Sequence, residues 1–135
     1  MDTLDRFVRA QQGIYDQALT ELRAGRKTGH WIWFVLPQLR GLGRSSTAHE
    51  YGIAGRSEAE AYLAHPLLGA RLRECVQAVL THANRTAVRI LGDVDAMKFR
   101  SCLTLFDAVT DDDLFRQALD AFYDGERDAA TLALL

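Results

Sequence analysis

Glu58, Tyr62 and His65 stand at i, i+4 and i+7, a spacing that puts a carboxylate, a phenol and an imidazole on one helix face. A carboxylate beside an imidazole can move protons, so Glu58 and His65 are the candidates for acid/base work. Capping and surface hydrogen bonding use the same residue types, and that structural reading stands beside the catalytic one. A second set lies in HWIWFVLPQLRGLGRSS, residues 30–46. Gly41, Gly43, Arg44 and Ser45 form a turn whose free N–H groups and positive charge suit an anion. Trp31 or Trp33 offers a flat surface for a ring, and His30 and Gln38 flank the run with directional hydrogen bonds. One tryptophan is assigned to the core and the other left open. Tyr51 adds an aromatic group near Tyr62, and Lys98 heads a third polar set with Ser101 and Thr104. The chemistry these residues suit is binding of a nucleotide or ADP-ribose-like phosphate ligand. If a reaction follows, it is hydrolysis at an N-glycosidic bond with Glu58 or His65 as acid or base. The turn is neither a dinucleotide fingerprint nor a Walker loop, and a plain connection after Pro37 is its other reading.

Other chemistries find less support. The four histidines are scattered and form no HxxxH or HExxH pair, and there are no cysteine pairs, so no metal site and no cofactor are expected. No GxSxG elbow is present. Cys75 and Cys102 fall in helical segments without CxxC spacing, which fits buried thiols in a reducing compartment. The opening MDTLDRFVRAQQ lacks the apolar centre of a secretory signal, and no apolar run approaches membrane-spanning length. A cytoplasmic location without a membrane partner is expected.

Net charge is −2, which gives no reason to expect nucleic acid as a partner. The charge is unevenly spread. Residues 1–44 hold seven Lys/Arg against four Asp/Glu, and residues 93–128 hold four against ten. The acidic stretch reads as a solvated face, or as a solubilising counterpart to a basic, anion-binding segment.

The elements that must position these residues are mostly helices. With 135 residues and 48% hydrophobic content, one domain can bury a real core. The fold class is mainly α, a single compact domain spanning residues 1–135 with about seven or eight short helices. Ile14, Ala18 and Leu22 repeat at helical spacing until Gly25 stops the run, and Asp2 or Thr3 is a possible cap further upstream. Residues 31–36 are continuously apolar between Gly29 and Pro37; a short strand is possible there, and a helix capped by Thr28 is favoured. Capping boxes at Thr47/Glu50 and Ser57/Glu60 open two short helices. Pro66 marks a first helical position for an amphipathic helix running to about Thr81. Thr86 opens a short segment that Gly92 stops, and Asp93 caps a helix whose apolar set includes Met97, Leu103 and Phe106. Thr110 and three aspartates start the next helix, and Asp128 caps a final turn.

The strings AGRKTGHWIWFVLPQLRGLGRSS, YGI (51–53), EAEAYLAHPLLGARLRE (58–74), MKFRSCLTLF and FYDGERDAATLALL resemble those of the proteins grouped as domain of unknown function 1810, from about Phe7 to Leu135. That resemblance implies a mainly helical fold and no established activity. The label calpastatin, sometimes attached to such proteins, denotes a disordered, lysine-rich inhibitor and does not suit this globular composition. Residues 58–71 and the Met97–Phe106 segment also resemble, more faintly, the NADAR (YbiA-like) proteins of NAD and ADP-ribose metabolism. AHEYGIA at 48–54 is only a loose counterpart of their EHYYQA-type motif, so no catalytic residue carries over. A contrasting reading makes the chain a non-enzymatic protein-interaction module, and a homodimer suits either, since surplus apolar helix faces such as Leu132–Leu135 need cover.

Overall fold

The computed structural model describes residues 3–135, and among them ten helices form. In order they are α1 (Asp5–Gln11), α2 (Tyr15–Ala24), α3 (Ile32–Val35), α4 (Ser46–Glu50), α5 (Arg56–Ala64), α6 (Leu68–Leu80), α7 (Ala87–Leu91), α8 (Asp93–Asp107), α9 (Leu114–Tyr123) and α10 (Ala129–Leu134). The number exceeds the seven or eight expected, although the short pieces α3, α4 and α7 each fall in a segment whose start or stop the sequence marks. Residues 31–36 hold the one-turn helix Ile32–Val35 and not a strand, with Trp31 at the N-cap in place of Thr28. The extended pairing among the described residues is one isolated parallel bridge, Leu39 with Ile53. Asp2, a possible first cap, lies outside the described residues.

α6 and α8 make the centre. Leu72, Cys75, Val76 and Val79 of α6 are fully buried, as are Phe99, Cys102, Leu103 and Phe106 of α8. α9 covers α8 with Phe115, Ala118 and Leu119, whose helical spacing gives one apolar stripe. α2 and α5 pack on α6, while α7 and α10 pack on α8. Met97 departs from the expected core set: it is 69% exposed, because it falls on the opposite side of α8 from Phe99 and Phe106.

Several stops and caps fall where local chemistry demands. Gly25 takes the left-handed conformation that ends α2, at φ 76°. Thr86 and Asp128 accept from backbone N–H groups three residues on, capping α7 and α10. Others shift. Ser45, not Thr47, caps α4 through its hydroxyl, and α5 starts at Arg56, ahead of the Ser57/Glu60 box. α6 begins at Leu68, after Pro66. Gly92 precedes α8, leaving Asp93 in its first turn.

At the junction of α5 and α6 two backbones approach closely. A Cβ on Gly69 would stand 2.1 Å from the Leu63 carbonyl oxygen, which is backbone and cannot rotate away. Gly69→Ala is therefore expected to lower stability by about 3 kcal/mol, at the upper end of ordinary overpacking costs. Urea denaturation checks this, and a loss under about 0.5 kcal/mol would contradict the close approach.

Candidate functional site

The expected site residues do not converge on one place. Glu58 sits where α1, the segment before α5 and α5 itself meet. Its carboxylate accepts from Arg6 Nη2 at 2.8 Å, Thr3 Oγ1 at 2.7 Å and the Ala54 amide at 2.9 Å. Burial pulls its pKa upward, but the Arg6 guanidinium, the Thr3 hydroxyl and the Ala54 amide outweigh that and hold it at about 2. A carboxyl so held is an anchor and a poor proton carrier near neutral pH. His65 is similarly engaged: its Nδ1 accepts from the Leu67 and Leu68 amides at 3.2 Å each, capping the start of α6. Helical spacing does place Glu58 and His65 at the two ends of α5, and each turns to a separate structural task.

Tyr62 is fully buried, its ring edge-on to Phe7 at 5.2 Å and its hydroxyl receiving Gln11 Nε2 at 3.3 Å. It is inside the core and beyond a ligand's reach. Tyr51 packs edge-on to Phe34 with centroids 4.7 Å apart. Trp31 is the core tryptophan: 1% exposed, it donates from Nε1 to Glu21 at 3.0 Å, and the Lys27 ammonium lies 4.8 Å from its ring. The same Glu21 carboxylate accepts from the Thr28 and Gly29 amides, which shapes the turn before α3. His30 is exposed on that turn.

The glycine-rich turn owes much of its composition to packing. Ser45 spends its hydroxyl on the α4 cap. A Cβ on Gly43 would meet Ala48 at 2.5 Å, so glycine lets the turn close on α4. Gly41 has φ 103° and faces Leu134 of α10. Arg44 is exposed on the outer shoulder.

Three of the expected residues do meet. Gln38, Gly43 and Lys98 line a surface cleft of about 300 Å3 between the segment after Pro37, α8 and the start of α10. Gln38 is steadied by the bridge, its carbonyl accepting from the Ile53 amide at 2.9 Å while the Arg40 amide donates back to Ile53 at 2.8 Å. α8 contributes Val94, Met97, Lys98 and Ser101, at i, i+3, i+4 and i+7, together with Arg100. The N-cap of α10, Asp128, and Ala130 within it add to the lining. The Lys98 ammonium lies 4.6 Å from the ring of half-buried Trp33, a cation–π contact that holds it at the cleft wall. Among the described residues Lys98 has no acidic partner. The Trp33 Nε1 is buried without a hydrogen-bond acceptor.

Sequence reasoning missed Arg100 and Asp128 as cleft residues. Arg100 lies 3.8 Å from both Glu126 and Asp128. Asp128 Oδ2 accepts from Ser101 Oγ and the Thr131 amide at 3.1 Å each, and the Asp128 amide donates to Thr104 Oγ1 at 2.9 Å. The polar set Ser101–Thr104 thus docks the cap of α10. The available signal was that set together with the Asp128 cap: two unexplained polar features that had to meet. No cluster of metal-binding side chains occurs among the described residues, and no helix there is long and apolar enough to cross a membrane. Both cysteines are free and buried, and burial pushes the Cys75 thiol up to about 12, which suits packing and not nucleophilic attack.

Fold and cleft together define a class: a small, all-helical protein with a charged hollow at the meeting of its longest helix and its last. A family model described as "Protein of unknown function (DUF1810)" matches residues 1–135, and the chain belongs to that family. It is 50% identical to the conserved hypothetical protein Rv1873 from Mycobacterium tuberculosis, whose crystal structure superposes with a TM-score of 0.96 over 98% of this chain and 95% of that one. No curated protein matches the chain. The fainter NADAR likeness and the calpastatin label gain no support from these comparisons.

Proposed function

We propose that this protein binds a small phosphate-bearing, nucleotide-like molecule in the cleft between the segment after Pro37, α8 and α10. The observation that carries the reading is Lys98, an ammonium held over Trp33 at the cleft wall with no carboxylate partner among the described residues. A cation positioned but uncompensated is what an incoming anion needs. Gln38 supplies a hydrogen-bonding side-chain amide from the segment after Pro37. The reading is binding without glycoside hydrolysis. Glu58 and His65 do not line the cleft, and Asp128, its carboxylate, is committed to the α10 cap. A protein-interaction role is the second reading, favoured by Val94 and Met97, 65% and 69% exposed beside the same cleft.

Calorimetric titration with AMP, ADP-ribose and inorganic phosphate tests the proposal. Lys98→Ala is expected to weaken binding at least tenfold with an unchanged circular dichroism spectrum, while Arg44→Ala changes it less than threefold. Equal affinity in wild type and Lys98→Ala, or no heat with any of the three, would reject small-anion binding and leave the interaction role.

A further inference from the structure

The cleft face of α8 changes character along its length. Val94 and Met97 expose apolar surface at one end, Lys98 follows, and Ser101 with Arg100 closes the other. Single exposed apolar side chains are ordinary, but these two are one turn apart and face the same hollow as Leu42. At the charged end one cation is left without a partner. Lys98 has no acidic partner among the described residues, and the nearest carboxylate oxygens to Arg100 stand at 3.8 Å, beyond hydrogen-bond range. Glu126 is 76% exposed, and Asp128 Oδ2 is already taken by Ser101 and Thr131. Both carboxylates at this end, Glu126 and Asp128, are thus turned to Arg100, and Lys98 is the cation left over, which leaves room for a single added negative group.

About 300 Å3 lies at the lower end of small-molecule sites, enough for one ring system with one anionic group; the cleft is open at the surface, so the remainder of a longer ligand would lie in solvent and add little affinity. We infer that the cleft selects a compact amphiphilic anion, with one phosphate or carboxylate at the Lys98–Arg100 end and one aromatic or short apolar body lying on Met97 and Val94. The thioether of Met97 suits an aromatic ring edge. This inference rests on the cleft being a small-anion site, and it narrows the ligand away from ADP-ribose towards monoesters and aromatic acids.

Titration of the whole protein with inorganic phosphate, phenyl phosphate, benzoate, AMP and ADP-ribose decides it. Phenyl phosphate or benzoate is expected to bind at least tenfold more tightly than inorganic phosphate, the stronger of the two naming the anion, and ADP-ribose no more tightly than AMP. Met97→Ser, an exposed position where folding is not at stake, should erase that tenfold gain and leave inorganic phosphate binding unchanged. Inorganic phosphate binding as tightly as both aromatic probes, ADP-ribose exceeding AMP tenfold, or an indifferent Met97→Ser would overturn the amphiphile while leaving the anion site standing. No binding by any probe would remove both.

Discussion

Glu58→Gln is expected to cost about 2 kcal/mol of stability at neutral pH, after allowance for solvent screening of a partly exposed pair. The side chain keeps its shape and an acceptor for the Ala54 amide, but loses the charge that binds Arg6 and Thr3. The pH dependence carries the distinguishing signature. The carboxyl has a pKa of about 2 in the folded protein against an ordinary 4.5. Its contribution is therefore fully present above about 4.5 and is lost as the pH falls towards 2. In Glu58→Gln that share of the acid-side decline is absent, so the two stability curves draw together as pH falls. Chemical denaturation between pH 3 and 7 measures this, and a constant gap across the range would show that Glu58 does not anchor through its charge.

Lys27→Ala should be costlier still, at about 3–5 kcal/mol, the range for breaking one side of a buried ion pair. The Lys27 ammonium meets Asp95 at 2.7 Å, with the two side chains 4% and 18% exposed, and also donates to the Gly29 carbonyl. Its amide donates to the Ile90 carbonyl at 2.7 Å, so a single residue ties the turn after α2 to α7 and α8. Without the ammonium, Asp95 stays as a largely buried, unpaired charge. A loss of that size consumes much of the stability of a small domain, so Lys27→Ala is a candidate for failing to fold. Lys27→Met retains the packing of the stem, and its combination with Asp95→Asn is expected to recover at least 1 kcal/mol by removing the stranded charge. Thermal denaturation of the single and double variants reads the coupling. No recovery in the double variant would show that a stranded Asp95 charge is not the source of the loss.

What could be seen in the sequence was what depends on near neighbours. Gly25, Thr86 and Asp128 end or begin helices through bonds within a turn of themselves, and those positions followed from residue type. Adjacent hydroxyls defeated the same logic at Ser45 and Thr47, where two side chains could each cap and the tertiary fit chose the earlier. The site was harder because its partners are distant. Glu58 pairs with Arg6, 52 residues away, and this contact turned a plausible acid into an anchor. Likewise Ser101 and Asp128 are 27 residues apart, and only the docking of α10 makes them neighbours. The two tryptophans had identical claims until packing separated them, Trp31 inward to Glu21 and Trp33 outward beneath Lys98.

The parallel bridge between Leu39 and Ile53 closes the base of an excursion that carries Leu42 and Gly43 to the cleft. Beyond the pin, Gly43 and Tyr51 are held by packing, so change costs least at exposed positions of the excursion such as Arg44. Two proteins sharing this scaffold could thus diverge in what they accept through that excursion alone, each inheriting the same helical foundation intact.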